Sequence, residues 1–237
     1  MKNTNEFLLS RKTASSFNIR LKYFVNQYLE YKKIYSSPIK ILDIGCGHNC
    51  ELFKYKQGED KYFGCDFYDQ INIKIDKYQK INLNEEKLSD KYKNEKFDVI
   101  FCGEVIEHLF SPDSLLEEIR EFMHKDSILI LSTPNLGYYA NRILLLFGIS
   151  PLFIENSSEM KLGRKFRIFG QFNKTEGHIK VFTYGALKDL LRLNSYKIIK
   201  VKSVPIWNNI FDRIICLLSK SLSANNIFVL KKYENTI

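Results

Sequence analysis

The stretch Ile39-Lys40-Ile41-Leu42-Asp43-Ile44-Gly45-Cys46-Gly47 constrains this chain more than any other. A short apolar run enters an acidic residue and then two glycines spaced one apart. A run that is apolar at nearly every position is a strand buried on both faces, as in a parallel sheet covered by helices. The glycines free the backbone to turn sharply and to pass close beneath a bound ligand. A Gly-x-Gly pair after a strand also occurs as a purely structural turn, so the rest of the chain must decide between the two uses.

The rest of the chain alternates strands with helices. Phe17 to Tyr35 reads as an amphipathic helix, with Ile19, Phe24, Tyr28 and Tyr31 at helical spacing and Ser36-Ser37-Pro38 as its stop. Strands are expected at Ile39–Ile44, Lys61–Asp66, more weakly Tyr78–Leu83, then Phe97–Cys102, Ser127–Ser132, Lys197–Val201 and Ile227–Lys232. Between them lie helical candidates at Cys50–Tyr55, at Pro112–His124 behind a Ser111 cap and a first-turn proline, and from Thr183 or Tyr184 to Leu193. This rhythm predicts an α/β fold, a doubly wound Rossmann-like sheet with helices on both faces. It breaks between Leu136 and Gly177, where an apolar helix (Tyr138 to Phe147) precedes a glycine-bearing loop with Lys161, Arg164, Lys165 and Arg167. That segment, about 136–177, is read as an insertion beside the active site within a domain spanning 39–237, after an N-terminal helical segment at 1–38.

Bulk properties narrow the class. The chain has 237 residues, 45% of them hydrophobic and 27% charged, enough for one well-cored domain and too apolar for disorder. The net charge of +9, from 36 basic and 27 acidic residues, suits nucleic acid, an anionic membrane or an anionic substrate, or simply a lysine-rich composition. Five cysteines, several in strand-like runs, suit buried thiols in a reducing compartment. Cys46-x-His48-x-Cys50 lacks a second paired set, so no metal site is expected. The first ten residues hold no signal-like apolar core, and the apolar run Ile143–Ile154 is broken by Gly148, Ser150 and Pro151, which points to a cytoplasmic protein.

Ligands of open parallel sheets sit at the carboxyl ends of the strands. Asp43-Ile-Gly-Cys-Gly ends the first strand, and Asp66 ends the second about twenty residues after the first glycine, the spacing at which a carboxylate accepts hydrogen bonds from a ribose. Asn82 ends the third, where an amide can pair with a base edge, and Cys102-Gly103-Glu104 ends the fourth before Val105-Ile106-Glu107-His108.

With these residues the chain resembles the class I S-adenosylmethionine-dependent methyltransferases, in the branch with E-V-x-E-H after strand four. The likeness rests on Ile41–Gly47, Asp66, Phe97-Asp98-Val99-Ile100, Glu104–Leu109, Leu129–Asn135 and Gly177–Thr183, roughly residues 39 to 202. It implies a seven-stranded sheet with an antiparallel last strand, supplied by Ile227–Lys232. It also implies S-adenosylmethionine as cofactor: Asp43, Gly45, Cys46 and Gly47 against its methionine part, Asp66 on the ribose, Asn82 near the adenine, and Cys102, Gly103 and Glu104 beside the sulfonium. His48-Asn49 stands where the family often has a third glycine, and Asn49 can take the left-handed backbone there.

Methyl transfer needs alignment of nucleophile, methyl and sulfur, and a hydroxyl nucleophile also needs a base. His108, His178 and Glu104 are the catalytic candidates. The competing readings are structural: His108 as a hydrogen-bond donor that orients its helix, His178 as a loop anchor, Glu104 and Glu107 as carboxylates at a helix N-terminus, His48 and His124 as structural or solvated. The expected function is methylation of a small-molecule hydroxyl, with a sugar or lipid-linked sugar of a cell-surface polysaccharide suggested by the resemblance. The alternatives are an RNA methyltransferase and a non-catalytic cofactor-binding scaffold. Against the nucleic-acid reading, strand four does not end in an Asn/Asp-Pro-Pro-aromatic motif and no RNA-binding module is visible. At most, the insertion rests peripherally on an anionic bilayer.

Overall fold

A computed structural model describes residues 4–35, 37–206 and 210–233. Seven strands form one sheet: β1 (Lys40–Ile44), β2 (Lys61–Asp66), β3 (Lys77–Lys80), β4 (Phe97–Gly103), β5 (Met123–Pro134), β6 (Tyr196–Val204) and β7 (Asn225–Lys232). Their spatial order is β3-β2-β1-β4-β5-β7-β6. Pairings from β3 through β5 are parallel, and β7 runs antiparallel to both β5 and β6. The strand order reverses between β1 and β4, which opens a crevice at their carboxyl ends.

Helices α1 (Thr4–Ile34), α2 (Leu88–Lys91), α3 (Pro112–Phe122), α4 (Tyr139–Leu146), α5 (Tyr184–Leu193) and α6 (Ile210–Leu218) accompany the sheet. Alternation along β4 feeds two cores. Phe97, Ile100 and Cys102 pack with Leu88 of α2, Leu116 and Ile119 of α3 and Leu191 of α5, while Val99 and Phe101 pack with Phe24, Tyr28 and Tyr31 of α1. The Ser111 hydroxyl caps α3 by accepting from Ser114 N–H at 3.3 Å, and Thr183 caps α5 by accepting from Ala186 N–H at 3.2 Å. Among the described residues, no helix is long and apolar enough to cross a membrane.

Several elements depart from the sequence reading. α1 begins at Thr4 rather than Phe17, β3 is shorter, and β5 follows α3 without a gap. Cys50–Tyr55 forms only a five-residue 3-10 turn at Glu51–Tyr55. α6 was not anticipated. In the insertion, Lys161 and Arg164 are not a basic surface. Lys161 is buried against Glu155 and Glu176, and the Arg164 guanidinium donates to the carbonyls of Phe169, Leu152 and Ile154.

α1 is fixed to the sheet through Asp60, whose side chain is fully buried. Its carboxylate accepts from Tyr28 hydroxyl at 2.6 Å, Lys32 ammonium at 2.5 Å and Ile39 N–H at 3.0 Å. Burial works to raise its pKa, but the bonds from Lys32, Tyr28 and Ile39 outweigh that and hold it below the usual carboxylate value. Asp60→Asn should lower stability by about 2 kcal/mol in urea unfolding at neutral pH. The difference from wild type should vanish only in acid, as pH falls through the depressed pKa of the folded carboxylate, because stability from a lowered carboxylate pKa is present above the unfolded value and lost below.

The glycine turn gives a sharper contrast. Gly45 has φ 74°, and a Cβ there would lie 2.4 Å from Val105 Cγ2. Gly47 has φ 64°, and a Cβ there would meet nothing within 4 Å. Gly45→Ala should therefore cost about 2–4 kcal/mol, left-handed strain plus overpacking. Gly47→Ala should cost only the strain, about 1–2 kcal/mol. Denaturant titration of the two ligand-free variants checks this order.

Candidate active site

A cavity of about 250 Å³ opens at the carboxyl ends of β1, β4 and β5, lined by Asp43, Gly45, Cys46, Gly47, Gly103 and Glu104 together with Ser132. Helix α1 forms its roof with Phe17, Arg20, Leu21 and Phe24. The Phe24 ring stacks on Phe101 at 5.5 Å and lies 3.1 Å from where a Cβ on Gly103 would sit, so Gly103 lets the helix approach. None of the four α1 residues was legible as a site residue, because apolar side chains at helical spacing read as core and Arg20 has no neighbouring motif.

Asp43 is buried at the floor of the cavity, and the Tyr62 hydroxyl donates to its carboxylate. Burial pushes its pKa up to about 7, with the Asp66 charge adding and the Tyr62 bond opposing. Asp66 accepts from Gly47 N–H at 2.8 Å and from Phe67 N–H at 2.8 Å, so the carboxylate at the end of β2 is joined directly to the glycine turn. In the stretch replacing a third glycine, Cys50 and not Asn49 adopts the left-handed backbone, at φ 40°. His48 and Asn49 instead tie down the loop after β2: the His48 ring stacks on Tyr68 at 3.6 Å, and the Asn72 side-chain amide donates to Asn49 Oδ1 at 2.9 Å. His124 pairs with Asp98 at 3.1 Å, far from the cavity lining.

Two candidates sit differently than expected. Asn82 is exposed outside the cavity lining, and its Oδ1 accepts from Asn84 N–H at 3.2 Å, closing a turn. Cys102 is fully buried in the core behind β4, its thiol pushed well up by burial, so only its neighbours Gly103 and Glu104 reach the cavity.

Glu104 has a left-handed backbone, φ 58°, in a residue with a side chain. Its carboxylate is held by Arg20, by the Ser132 hydroxyl at 2.8 Å and by the Asn225 amide at 2.9 and 3.0 Å. Ringed by donors, it positions the end of β4 and the roof rather than standing free to take a proton. Asn225 lies 121 residues away, and no local pattern links the two.

His108 and His178 come together, ring centroids 5.1 Å apart. His108 Nδ1 lies 3.0 Å from the Gly177 carbonyl and His178 Nδ1 lies 3.0 Å from the Phe153 carbonyl. A carbonyl only accepts, so each ring donates its Nδ1–H there and turns Nε2 to other partners, and His178 Nε2 lies 3.7 Å from Glu176 Oε2. Glu107, 1% exposed, adds Oε2, which accepts from the Thr133 hydroxyl at 2.9 Å, and Oε1, which is buried without a partner. Burial first and the Glu104 charge second push the Glu107 carboxyl well above the usual range. Glu155, missed in the sequence, holds the His178 loop by accepting from the N–H groups of Glu176, Gly177 and His178.

One grouping of possible ligands was not foreseen in the sequence. Among the described residues, Glu107, His108 and His178 each offer a ligand atom within 4.8 Å of one another, two imidazoles and a carboxylate suited to a divalent cation. The cavity in turn fits the expected cofactor. Open space above Gly47, backbone turned by two glycines, the Asp43 carboxylate in the lining and Asp66 bonded to Gly47 just outside it suit a ligand with a cationic amino acid end and a ribose.

Residues 19–201 match the family described as Methyltransferase domain. The Ubiquinone biosynthesis O-methyltransferase of Pelagibacter ubique is 30% identical over 145 residues, 52% of this chain and 56% of that protein. The enzyme of the same name from Haemophilus ducreyi is 30% identical over 108 residues, 40% of this chain and 45% of that protein. The chain thus matches about half the length of these curated relatives. In fold it is similar to an S-adenosylmethionine-dependent methyltransferase from Clostridium acetobutylicum, with TM-score 0.57 at 11% identity over 90% of this chain and 92% of that one. A SAM-dependent methyltransferase from Archaeoglobus fulgidus gives TM-score 0.57 at 17% identity, covering 96% and 99%. With the family match running through the glycine turn, the cavity and the Glu104–His108 segment, the chain belongs to the class I methyltransferases that take their methyl group from S-adenosylmethionine.

Proposed function

We propose that this chain methylates a hydroxyl of a small-molecule acceptor brought against His108 and His178. The observation that carries the reading is the imidazole pair, ring centroids 5.1 Å apart, with both Nδ1 protons committed to backbone carbonyls and Nε2 turned to other partners, Glu176 lying 3.7 Å from that of His178. S-adenosylmethionine, when bound, supplies an electrophilic methyl group. Gly45, Gly47 and Asp43 in the cavity lining, with Asp66 bonded to Gly47 beside it, would hold it, Arg20 and Phe24 would close the roof, and the Nε2 of His108 or His178 would take the acceptor's proton. The names of the curated relatives support an O-methyl acceptor in ubiquinone biosynthesis as the class to test first, and nothing observed supports the sugar hydroxyl suggested by the resemblance.

A second reading of the same cluster is favoured by the orphaned Glu107 Oε1. In it, Glu107, His108 and His178 hold a divalent cation that acidifies the acceptor hydroxyl, in place of a histidine acting alone.

The test is calorimetric binding of S-adenosylmethionine followed by methyl transfer to catechol-type and sugar acceptors. Asp66→Ala should abolish measurable binding. His178→Ala should leave binding intact and cut turnover by about 10²–10⁴-fold. Full activity after chelator dialysis assigns the histidine base; loss restored by added magnesium or zinc assigns the cation. Unchanged turnover in both His108→Ala and His178→Ala would sink the hydroxyl chemistry.

Asp43 gives a pH signature. Its carboxyl is protonated in the free protein below about 7, whereas a cationic ligand end favours the ionised form. The affinity for S-adenosylmethionine should rise up to about tenfold per pH unit below that value and level off above it. Stability of the free protein should run the opposite way, falling as pH rises from the unfolded carboxylate value towards 7, because the folded state binds the extra proton. Asp43→Asn should flatten both profiles, read by calorimetry and urea unfolding.

A further inference from the structure

We infer that the face formed by α4 and α6 is a docking surface for an anionic lipid bilayer. α6 is amphipathic in the wrong direction for a core helix. It turns Asp212 and Cys216 inward and leaves Ile210, Phe211, Ile214, Leu217 and Leu218 outward, at the i, i+1, i+4, i+7, i+8 spacing of one helical stripe. Leu217 is 83% exposed and Leu218 78%. α4 adds Ile143, Leu145, Leu146 (79% exposed) and then Phe147. The two helices are neighbours: Tyr139 meets Phe211 edge-on at 5.8 Å, and the Tyr138 hydroxyl donates to Asp212 Oδ1 at 3.3 Å. Exposed aliphatic and aromatic surface on two neighbouring helices marks an interaction site.

Charge selects the occupant. α4 has no acidic residue, and the one on α6, Asp212, is fully buried, so neither helix shows a carboxylate to solvent. Arg142 and Arg213 are exposed on the helices themselves. Lys165, whose ammonium donates to the Phe147 carbonyl at 3.3 Å, and Arg167 alternate with exposed Phe166 and Ile168 beside the end of α4. Between α6 and β6 lies a second cavity, about 420 Å³, lined by Lys202, Arg213 and Lys220 with Ser203, whose hydroxyl is buried without a partner. An apolar face rimmed by cations, with a basic pocket at its edge, suits acyl chains and lipid phosphates together. A second copy of the chain is disfavoured, since a two-fold contact would set this single-sign rim against itself.

The test is flotation of the whole protein with phosphatidylcholine vesicles made with and without phosphatidylglycerol. Binding should appear only with the anionic lipid and weaken with salt. The double change Leu217→Glu and Leu218→Glu should reduce it at least tenfold. Lys202→Glu with Lys220→Glu should reduce it by about fivefold per residue. All these positions are exposed, so thermal unfolding and S-adenosylmethionine binding should match wild type. No flotation, or equal binding to neutral vesicles, overturns the inference. So does a dimer in sedimentation that Leu217→Glu with Leu218→Glu dissolves, which would assign the face to a second copy. Vesicle binding is read without methyl transfer, so its failure and the failure of the hydroxyl reading are separate results.

Discussion

The space a side chain would fill at Gly45 is occupied by Val105. The first residue beyond Glu104 packs where a Cβ would stand, 2.4 Å from its ideal position. The turn leaving β1 and the segment leaving β4 are therefore one packed unit across the crevice where the strand order reverses. Gly45 N–H donates to the Cys65 carbonyl at 2.9 Å, and Gly47 N–H to Asp66, which brings the end of β2 into the same unit. Three strand ends are thus held by a contact that only glycine permits, and the glycine turn and the Glu104–His108 segment are placed by it together.

Glu104 extends that unit upward. A left-handed residue with a side chain is strained by about 1–3 kcal/mol, and here Arg20, Ser132 and Asn225 offset the strain by converging on its carboxylate. These three come from α1, β5 and β7, so the roof, the neighbouring parallel strand and the antiparallel strand all meet at the end of β4. Asp60 secures the other end of the same roof helix. The helix before the first strand is for this reason a wall of the cavity, held at its middle through Arg20 and near its C-terminal end through Tyr28 and Lys32.

What the chain reveals without a structure depends on how local the determining contacts are. β1, β2 and β4, the cap Ser111, and the Asp43, Gly45, Gly47 and Asp66 cluster follow from short-range pattern, because buried parallel strands and tight turns restrict nearly every residue in them. The seven-stranded sheet with one antiparallel strand came through the family likeness. Arg20, Glu155 and Asn225 were not legible, since each acts on a partner far away in sequence and none has a local signature. Lys161 and Arg164 misled for the same reason: composition counts charge, while burial against Glu155, Glu176 and backbone carbonyls decides where that charge points. α6 escaped because a nearly continuous apolar run fits a strand or a helix equally, and its stripe faces away from any core that could have arbitrated.

The insertion joins these two halves of the molecule. α4 reaches the His178 loop through its own side chain: Asn141 Oδ1 accepts from Leu152 N–H at 2.9 Å, and the next residue, Phe153, gives its carbonyl to His178. Two residues further on, Glu155 grips the loop that carries His178. The exposed apolar side of α4 and the His178 imidazole are thus separated by a short run of hydrogen bonds. A surface resting on lipid would hold His178 near the interface, where an acceptor with an apolar body and a polar hydroxyl would orient itself by its own partitioning. On the proposed docking, the positive rim, the outward-facing helix and the inward-facing imidazole would serve one requirement, that the acceptor be met at the boundary between lipid and water.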